Sequence, residues 1–524
     1  MIILQWILVL LLGAVLLTAI ARRIGAPSPS LLALGGVMIA LIPNGPRFTL
    51  QPDLALALFV APVLLDAAFD SSLRDLRQNW LSVTCLVVIA VSMTTAVVAL
   101  VAQWLVPSMP IAACIALGAL VAPPDAAAAS AVLKEVRLPH RLLVVLEGES
   151  LLNDASALLI YRLSVAAAVM SGSASPRVAP TLTLVLFGSI AFGALMAFVF
   201  SDLIPRFSDV PSSIVMQFIG AFGVWILADR LELSGVLAIV AFAVILSRRS
   251  PIRMPAAVRV PSYAVWETAV FVLNALAFVM IGLQLEPIVL RMEQADRYEG
   301  LRFAVVILIA VIGVRAAWML FYNGALRVTS RVLGARTPHW IRVPPWKGSV
   351  LGAWCGMRGI VTLAAALALP DGSGEMAAFP YRDLILLTAF VVVIGTLVIQ
   401  GLTLRPLAIA LSLEPDDIVE FETRHGRAEM LRAAVQALDG VEGEVADTIR
   451  AELLTSLQRL EESIPSLSLE IRSDEVSLRS TVRTAARLSL NQLRMTGVIG
   501  DASFQRLEAE LDLIELDAET RSRW

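Results

Sequence analysis

Residues 147–154 read Glu-Gly-Glu-Ser-Leu-Leu-Asn-Asp: three carboxylates and an amide set inside an apolar stretch that runs from Arg141 to Tyr161. A charge at the centre of a membrane span costs about 3 kcal/mol even on lenient scales, so such groups face a water-filled cavity, a partner charge or a transported ion. At about 100° per residue, Ser150, Asn153 and Asp154 fall on one face of a helix. An oxygen-rich face suits a hard monovalent cation, and its carboxylate can hold either that cation or a proton. Asp154 lies about 13 residues into the span, roughly 20 Å from its start and so near the midplane, where secondary-transporter sites sit.

The other charges need separate roles. Glu149 is turned about 140° away from Asp154, and Arg358, in a later interrupted span, is its expected partner in a structural ion pair. Glu147 lies two turns before Asp154, where it lines an ion path or is solvated at the membrane surface. Asp66, late in the third apolar segment, can reach the same cavity as a cation ligand or as hydrogen-bonding support for one. Asp125 follows a Pro-Pro break, where its carboxylate compensates a half-helix N-terminus more readily than it ligates an ion. The unwound carbonyls of residues 122–124, Pro124 among them, can themselves coordinate a cation.

These residues must be positioned by spans. The chain has 524 residues, 58% hydrophobic and 16% charged, against about 25% charged in soluble domains, so most of it belongs in a lipid bilayer. Hydropathy predicts an all-α polytopic membrane protein with about thirteen spans. They lie near 2–21, 30–43, 52–69, 80–105, 110–133, 141–170, 179–204, 212–230, 234–247, 265–286, 301–325, 347–369 and 382–407. The first has no basic n-region or cleavage site and reads as a retained span. Seventeen Arg and Lys fall in one set of loops and seven in the other, which places the N-terminus outside and the C-terminus in the cytoplasm.

Two spans are interrupted, the fifth at Val121-Ala-Pro-Pro-Asp125 and the twelfth at Cys355-Gly-Met-Arg-Gly359. They are the fifth members of the first six and the last six spans, with the seventh as linker, the pattern of an inverted repeat with two broken, crossing helices. From residue 411 the composition turns polar, with 23 Asp and Glu against 13 Arg, a net of −10. Residues 1–410 hold 21 against 28, a net of +7. The expected domains are therefore 1–410, a transmembrane transport domain, and 411–524, a cytoplasmic regulatory domain with helices over 428–438, 445–460, 478–496 and 502–515.

The motifs Glu147-Gly-Glu-Ser-Leu-Leu-Asn-Asp-Ala155, Ala122-Pro-Pro-Asp125, Gly356-Met-Arg-Gly-Ile-Val361 and Phe271-Val-Leu-Asn-Ala-Leu276 with Ile281-Gly-Leu-Gln-Leu285 resemble the monovalent cation/proton antiporter family. The likeness is to its electroneutral sodium/proton exchanger branch (NhaP-like and NHE-like), and it covers about residues 1–410. The resemblance implies that Asp154 is the ion- and proton-binding carboxylate, Ser150 a side-chain ligand, and Asn153 the mark of the electroneutral branch. It implies Glu149 with Arg358 as the structural pair, and a homodimer whose core domain moves like an elevator. Two departures bear on cation selectivity: the family's usual Thr at the first break is Pro124 here, and its frequent Glu in the third span is Asp66.

The resulting expectation is electroneutral exchange of Na⁺ or Li⁺ for H⁺ across a bacterial inner membrane, with K⁺/H⁺ exchange as the alternative. A channel would need a continuous selectivity filter, and a sensor an output motif; neither is legible. The three Cys and three His have no metal or disulfide spacing, and no nucleophile, resident cofactor or nucleic-acid motif points to an enzyme or a nucleic-acid partner.

Overall fold

The computed structural model describes residues 2–42, 51–125, 129, 138–169, 178–207, 209–254, 256–292, 294–333, 345–371, 378–413, 416, 426, 428–429, 431–440 and 443–462. Among them there is no strand. Residues 1–416 and 417–524 form two compact units.

In the first unit the helices are α1 (Ile2–Ile24), α2 (Ser28–Ala40), α3 (Ala61–Asp70), α4 (Leu73–Gln78), α5 (Trp80–Leu105), α6 (Ile111–Val121), α7 (His140–Val169), α8 (Val178–Leu203), α9 (Val210–Arg230) and α10 (Gly235–Arg253). There follow α11 (Ala256–Leu283), α12 (Leu285–Arg291), α13 (Gln294–Leu333), α14 (Trp346–Trp354), α15 (Ile360–Leu367) and α16 (Arg382–Leu411). Among the described residues, seven helices are long and apolar enough to cross a membrane: α1, α5, α8, α9, α11, α13 and α16 in whole or large part. The helix α7 is 30 residues long but carries Arg141, Glu147, Glu149, Asp154 and Arg162. The helices α2, α6, α14 and α15 are too short alone, because Pro and Gly interrupt the chain beside them.

The packing pairs the two halves of this unit. Helix α2 packs on α11 and α10 on α3; α1 meets α2 and α11, while α9 meets α10 and α3. The same exchange relates α5 on α6 to α13 on α14, α2 on α16 to α10 on α7, and α6 on α16 to α14 on α7. The helices α2 and α11 approach so closely that a Cβ on Gly282 would overlap the Ala33 carbonyl, and one on Gly36 the Val279 carbonyl. Small residues at such crossings let backbones touch, and dispersion contacts then hold helices together where lipid supplies no hydrophobic drive.

Buried apolar side chains form two main clusters. One joins α1, α2, α5, α6, α11, α13, α14, α15 and α16, with Leu146 and Tyr161 of α7. The other joins α3, α8, α9, α10 and the start of α11, with Leu151 of α7. Helix α7 lies between them.

In the second unit, Glu444–Glu462 is helix α17, amphipathic, with Glu444 and Asp447 in its first turn, and residues 431–436 are helical. The helices expected over 478–496 and 502–515 lie outside the described residues.

Candidate functional site

Two half-helices end side by side. Helix α6 stops at Val121, where residues 122–124 leave the helix, and α14 stops at Trp354, five residues before α15 begins. The first stop follows from Pro123 and Pro124, which donate no backbone hydrogen bond; the second from Gly356 and Gly359. The two breaks touch, the Asp125 amide donating to the Met357 carbonyl at 2.6 Å.

Each break answers the other's exposed helix end. Arg358, 1% exposed, donates from Nε to the Val121 carbonyl at 2.9 Å and from Nη2 to the Ala122 carbonyl at 3.2 Å. It also donates from Nη1 to the Gly356 carbonyl, and its own amide is accepted by Thr396 Oγ1 at 3.0 Å. A guanidinium thus sits on the carbonyl-rich, negative end of α6. In the opposite sense, the Asp125 carboxylate lies against Gly359, the N-cap of α15, so closely that a Cβ there would collide with Oδ2. A carboxylate at a helix N-terminus is favourable, the placement expected of Asp125.

The ion pair expected between Glu149 and Arg358 is made instead with Arg315 of α13. Arg315 donates from Nη1 to Glu149 Oε1 at 2.6 Å and from Nη2 to Oε2 at 2.9 Å. It also donates to the Gly352 carbonyl, near the end of α14, at 3.3 and 3.1 Å. The physical reason is that unwound helix ends leave several carbonyls without intrahelical donors. Arg358 is consumed by those carbonyls, and a second guanidinium is needed for the carboxylate. Planar bidentate geometry makes Arg315 the fit. The sequence signal was present, a lone Arg inside the apolar run of α13, but nothing local assigned its partner.

On α7, Asn153 is fully buried and Asp154 is 8% exposed. Asn153 donates from Nδ2 to the Pro124 carbonyl at 2.9 Å, which ties the site helix to the first break. That bond aims the amide, and its other atom, Oδ1, is buried without a hydrogen-bond partner. Among the described residues no hydrogen bond or ion pair engages the Asp154 carboxylate either, and it lies within electrostatic range of the like charge of Asp125. Ser150, half-buried, precedes them on the same face. Two oxygen donors on adjacent residues are therefore left over in a desolvated place where neglect of a polar group is costly. A dehydrated hard cation, or a proton on Asp154, satisfies them.

Asp66 is placed on α3 by the cavity that it lines. It lines a separate cavity of about 70 Å³ with Phe69, Ser201, Gln217, Arg259, Ser262 and Trp266, a lining that includes none of Ser150, Asn153 and Asp154. Its neighbours in that cavity come from α8, α9, α10 and α11, while Ala61, Leu64, Leu65 and Ala68 of α3 join the apolar cluster that includes Leu151 of α7.

Residues 7–410 match the family model described as "Sodium/hydrogen exchanger, transmembrane". An uncharacterized Na(+)/H(+) exchanger of Mycobacterium tuberculosis is 29% identical over 97% of this chain and 95% of its own. A sodium, potassium, lithium and rubidium/H(+) antiporter of Bacillus pumilus is 28% identical over 77% of this chain and 61% of its own. The sodium proton antiporter MjNhaP1 of Methanocaldococcus jannaschii superposes with a TM-score of 0.61 over 78% of this chain and 98% of its own, at 17% identity, a likeness of fold alone.

Proposed function

We propose that this chain, which belongs to the sodium/hydrogen exchanger family, exchanges Na⁺ or Li⁺ for H⁺ across a bacterial plasma membrane without moving net charge. The observation that carries the reading is the buried Asp154 carboxylate, which no hydrogen bond or ion pair engages among the described residues, beside Asn153 Oδ1, likewise unmatched among them. Asn153 cannot ionise, and Glu149 is neutralised by Arg315. Asp154 alone then alternates, crossing with one cation or with one proton. Ser150 and the Pro124 carbonyl, which keeps a second lone pair beyond the one given to Asn153, complete the oxygen set.

The exchange of packing pairs between the halves supports an inverted repeat of six plus six spans around α8, thirteen in all. A repeat of this kind lets one half rock against the other around a midplane site, which is the elevator-like motion proposed here. The partners proposed are the bilayer and a second copy of the chain in a homodimer. The proposed topology has the N-terminus outside and residues 411–524 in the cytoplasm as a regulatory domain, following the distribution of Arg and Lys.

One observation favours a second reading, exchange of K⁺ as well. The Bacillus pumilus relative is named for potassium and rubidium besides sodium and lithium. With Pro124 in place of a hydroxyl residue, the site is less crowded with fixed donors.

The test is pH-gradient dequenching in proteoliposomes with Na⁺, Li⁺ and K⁺ supplied separately. Wild-type protein should respond, and Asp154→Asn should not, while eluting as the same folded species. Undiminished Na⁺-driven dequenching by the variant would remove Asp154 from the mechanism.

A further inference from the structure

Asp154 must be reachable from one side of the membrane while closed to the other, so the side chains that follow it along α7 matter. Seven residues on, the helix has turned through about 700°, returning to within about 20° of the same azimuth roughly 10 Å further along. Tyr161 stands there. Between them come Leu158 and Ala157, the latter packed with Ala122 of the first break and Val91 of α5. Tyr161 is 7% exposed, and it joins the large apolar cluster with the breaks' own Cys355 and Met357.

Its hydroxyl has a specific use. It donates to the Ala365 carbonyl at 2.8 Å, one of the last carbonyls of the short helix α15. Arg382 donates from Nη2 to the carbonyl of Leu367, the last residue of α15, at 3.3 Å and from Nε to that of Leu369, just past it, at 2.9 Å. Helix α15 is thus held at both ends, by Asp125 at its start and by Tyr161 and Arg382 at its finish. The Tyr161 ring is thereby fixed across the end of α7's ion face that lies away from His140.

We propose that Tyr161 is the seal of the transport site on that side: its ring blocks water and protons from reaching Asp154 through the crossing, and its bond to Ala365 holds the ring in place. It is a positioning residue, since nothing puts it against the ion itself. The inference rests on Asp154 being the exchanging group. An antiporter moves one ion only in return for the other, so a continuous water path past Asp154 would turn exchange into leak. A bulky ring held by a hydrogen bond closes such a path without adding a charge to the site.

The experiment uses full-length protein in proteoliposomes carrying a preset pH gradient, and it measures decay of the gradient without Na⁺, Li⁺ or K⁺, with a membrane-permeant lipophilic cation on both sides to balance the charge that protons move. Wild-type and Asp154→Asn proteins should hold the gradient equally, and Tyr161→Phe, which keeps the ring but loses the bond to Ala365, should fall between wild type and Tyr161→Ala. Tyr161→Ala should dissipate it severalfold faster, and the double variant Tyr161→Ala/Asp154→Asn should leak less than Tyr161→Ala. If Tyr161→Ala does not yield folded protein, Tyr161→Leu, which keeps apolar bulk but loses ring and hydroxyl, takes its place with the same expected order. A loss of packing alone would lower yield and exchange rate but would not create a leak that Asp154 controls. A gradient held as well by Tyr161→Ala as by wild type, or a leak unchanged by Asp154→Asn, overturns the proposal. Exchange surviving in Asp154→Asn alone would instead overturn the assignment of the ion site.

Discussion

Removing the carboxylate of Glu149 should be among the most damaging single changes to this fold. Glu149→Gln deletes a charge that accepts two bonds from Arg315 at 2.6 and 2.9 Å, with both side chains almost wholly buried. Hydrogen bonds to charged groups contribute about 1.5–3 kcal/mol each, and breaking a buried pair by removing one partner costs about 3–5 kcal/mol. Arg315 would retain the Gly352 carbonyl and at most the neutral amide oxygen of the glutamine, with no counter-charge. Arg358, close by at Gly356, would share the same site without a counter-charge. Arg315→Met should cost a similar amount by stranding Glu149. The double variant should lose less than the sum of the two, with a coupling of up to about 3 kcal/mol. Reversible SDS unfolding in mixed micelles, followed by tryptophan fluorescence, measures all corners of the cycle. A parallel cycle of Glu149→Gln with Arg358→Met should give the smaller coupling, because Arg358 serves the Val121 and Ala122 carbonyls. Strictly additive losses for Glu149 and Arg315, or stronger coupling to Arg358, would refute the pairing.

Gly359→Ala should abolish exchange, since its Cβ would drive the Asp125 carboxylate off the start of α15, whereas Gly223→Ala, whose Cβ meets nothing within 4 Å, should leave it intact. Proteoliposome rates of the two variants decide this, and equal rates would show that Asp125 tolerates displacement. On α4, outside the spans, burial of Asp75 opposes its ionisation, but bonds with Ser72 and His140 and the charge of Arg74 outweigh it and hold the carboxyl below its usual value. A depressed acid stabilises the folded state above its unfolded pKa and loses that contribution as pH falls through the lowered one. The stability advantage of wild type over Asp75→Asn should therefore be present at neutral pH and close in acid, below about pH 4, in thermal melts across pH.

The residues of the site divide by how local their signals are. That Ser150, Asn153 and Asp154 share a face follows from helix periodicity over five residues, and the breaks at Pro123–Pro124 and at Gly356 and Gly359 follow from backbone chemistry alone. The family likeness rested on several such motifs in order, and the match over residues 7–410 accords with it. Contacts between distant helices were less legible. Arg358 was the partner expected for Glu149, but the carbonyls freed at the breaks take it, a demand that appears only when α6 and α14 are brought together. The cavity that Asp66 lines was not legible either, since hydropathy does not fix the rotation of a span about its axis. Among the described residues seven helices are long and apolar enough to cross a membrane, against thirteen expected spans, because α6 and α14 are cut short by the breaks and α7 carries charges.

Whether Asp154 works alone can be read from the charge moved per cycle. In proteoliposomes with the membrane potential set at several values by K⁺ and valinomycin, Na⁺-driven pH changes should reach the same end-point at every voltage, because one carboxylate carries one cation or one proton. The cation's apparent affinity should also weaken about tenfold per pH unit below the site's pKa, as proton and cation compete for that group. End-points that move with voltage would mean unequal stoichiometry, and a second titrating carboxylate would have to share the work with Asp154.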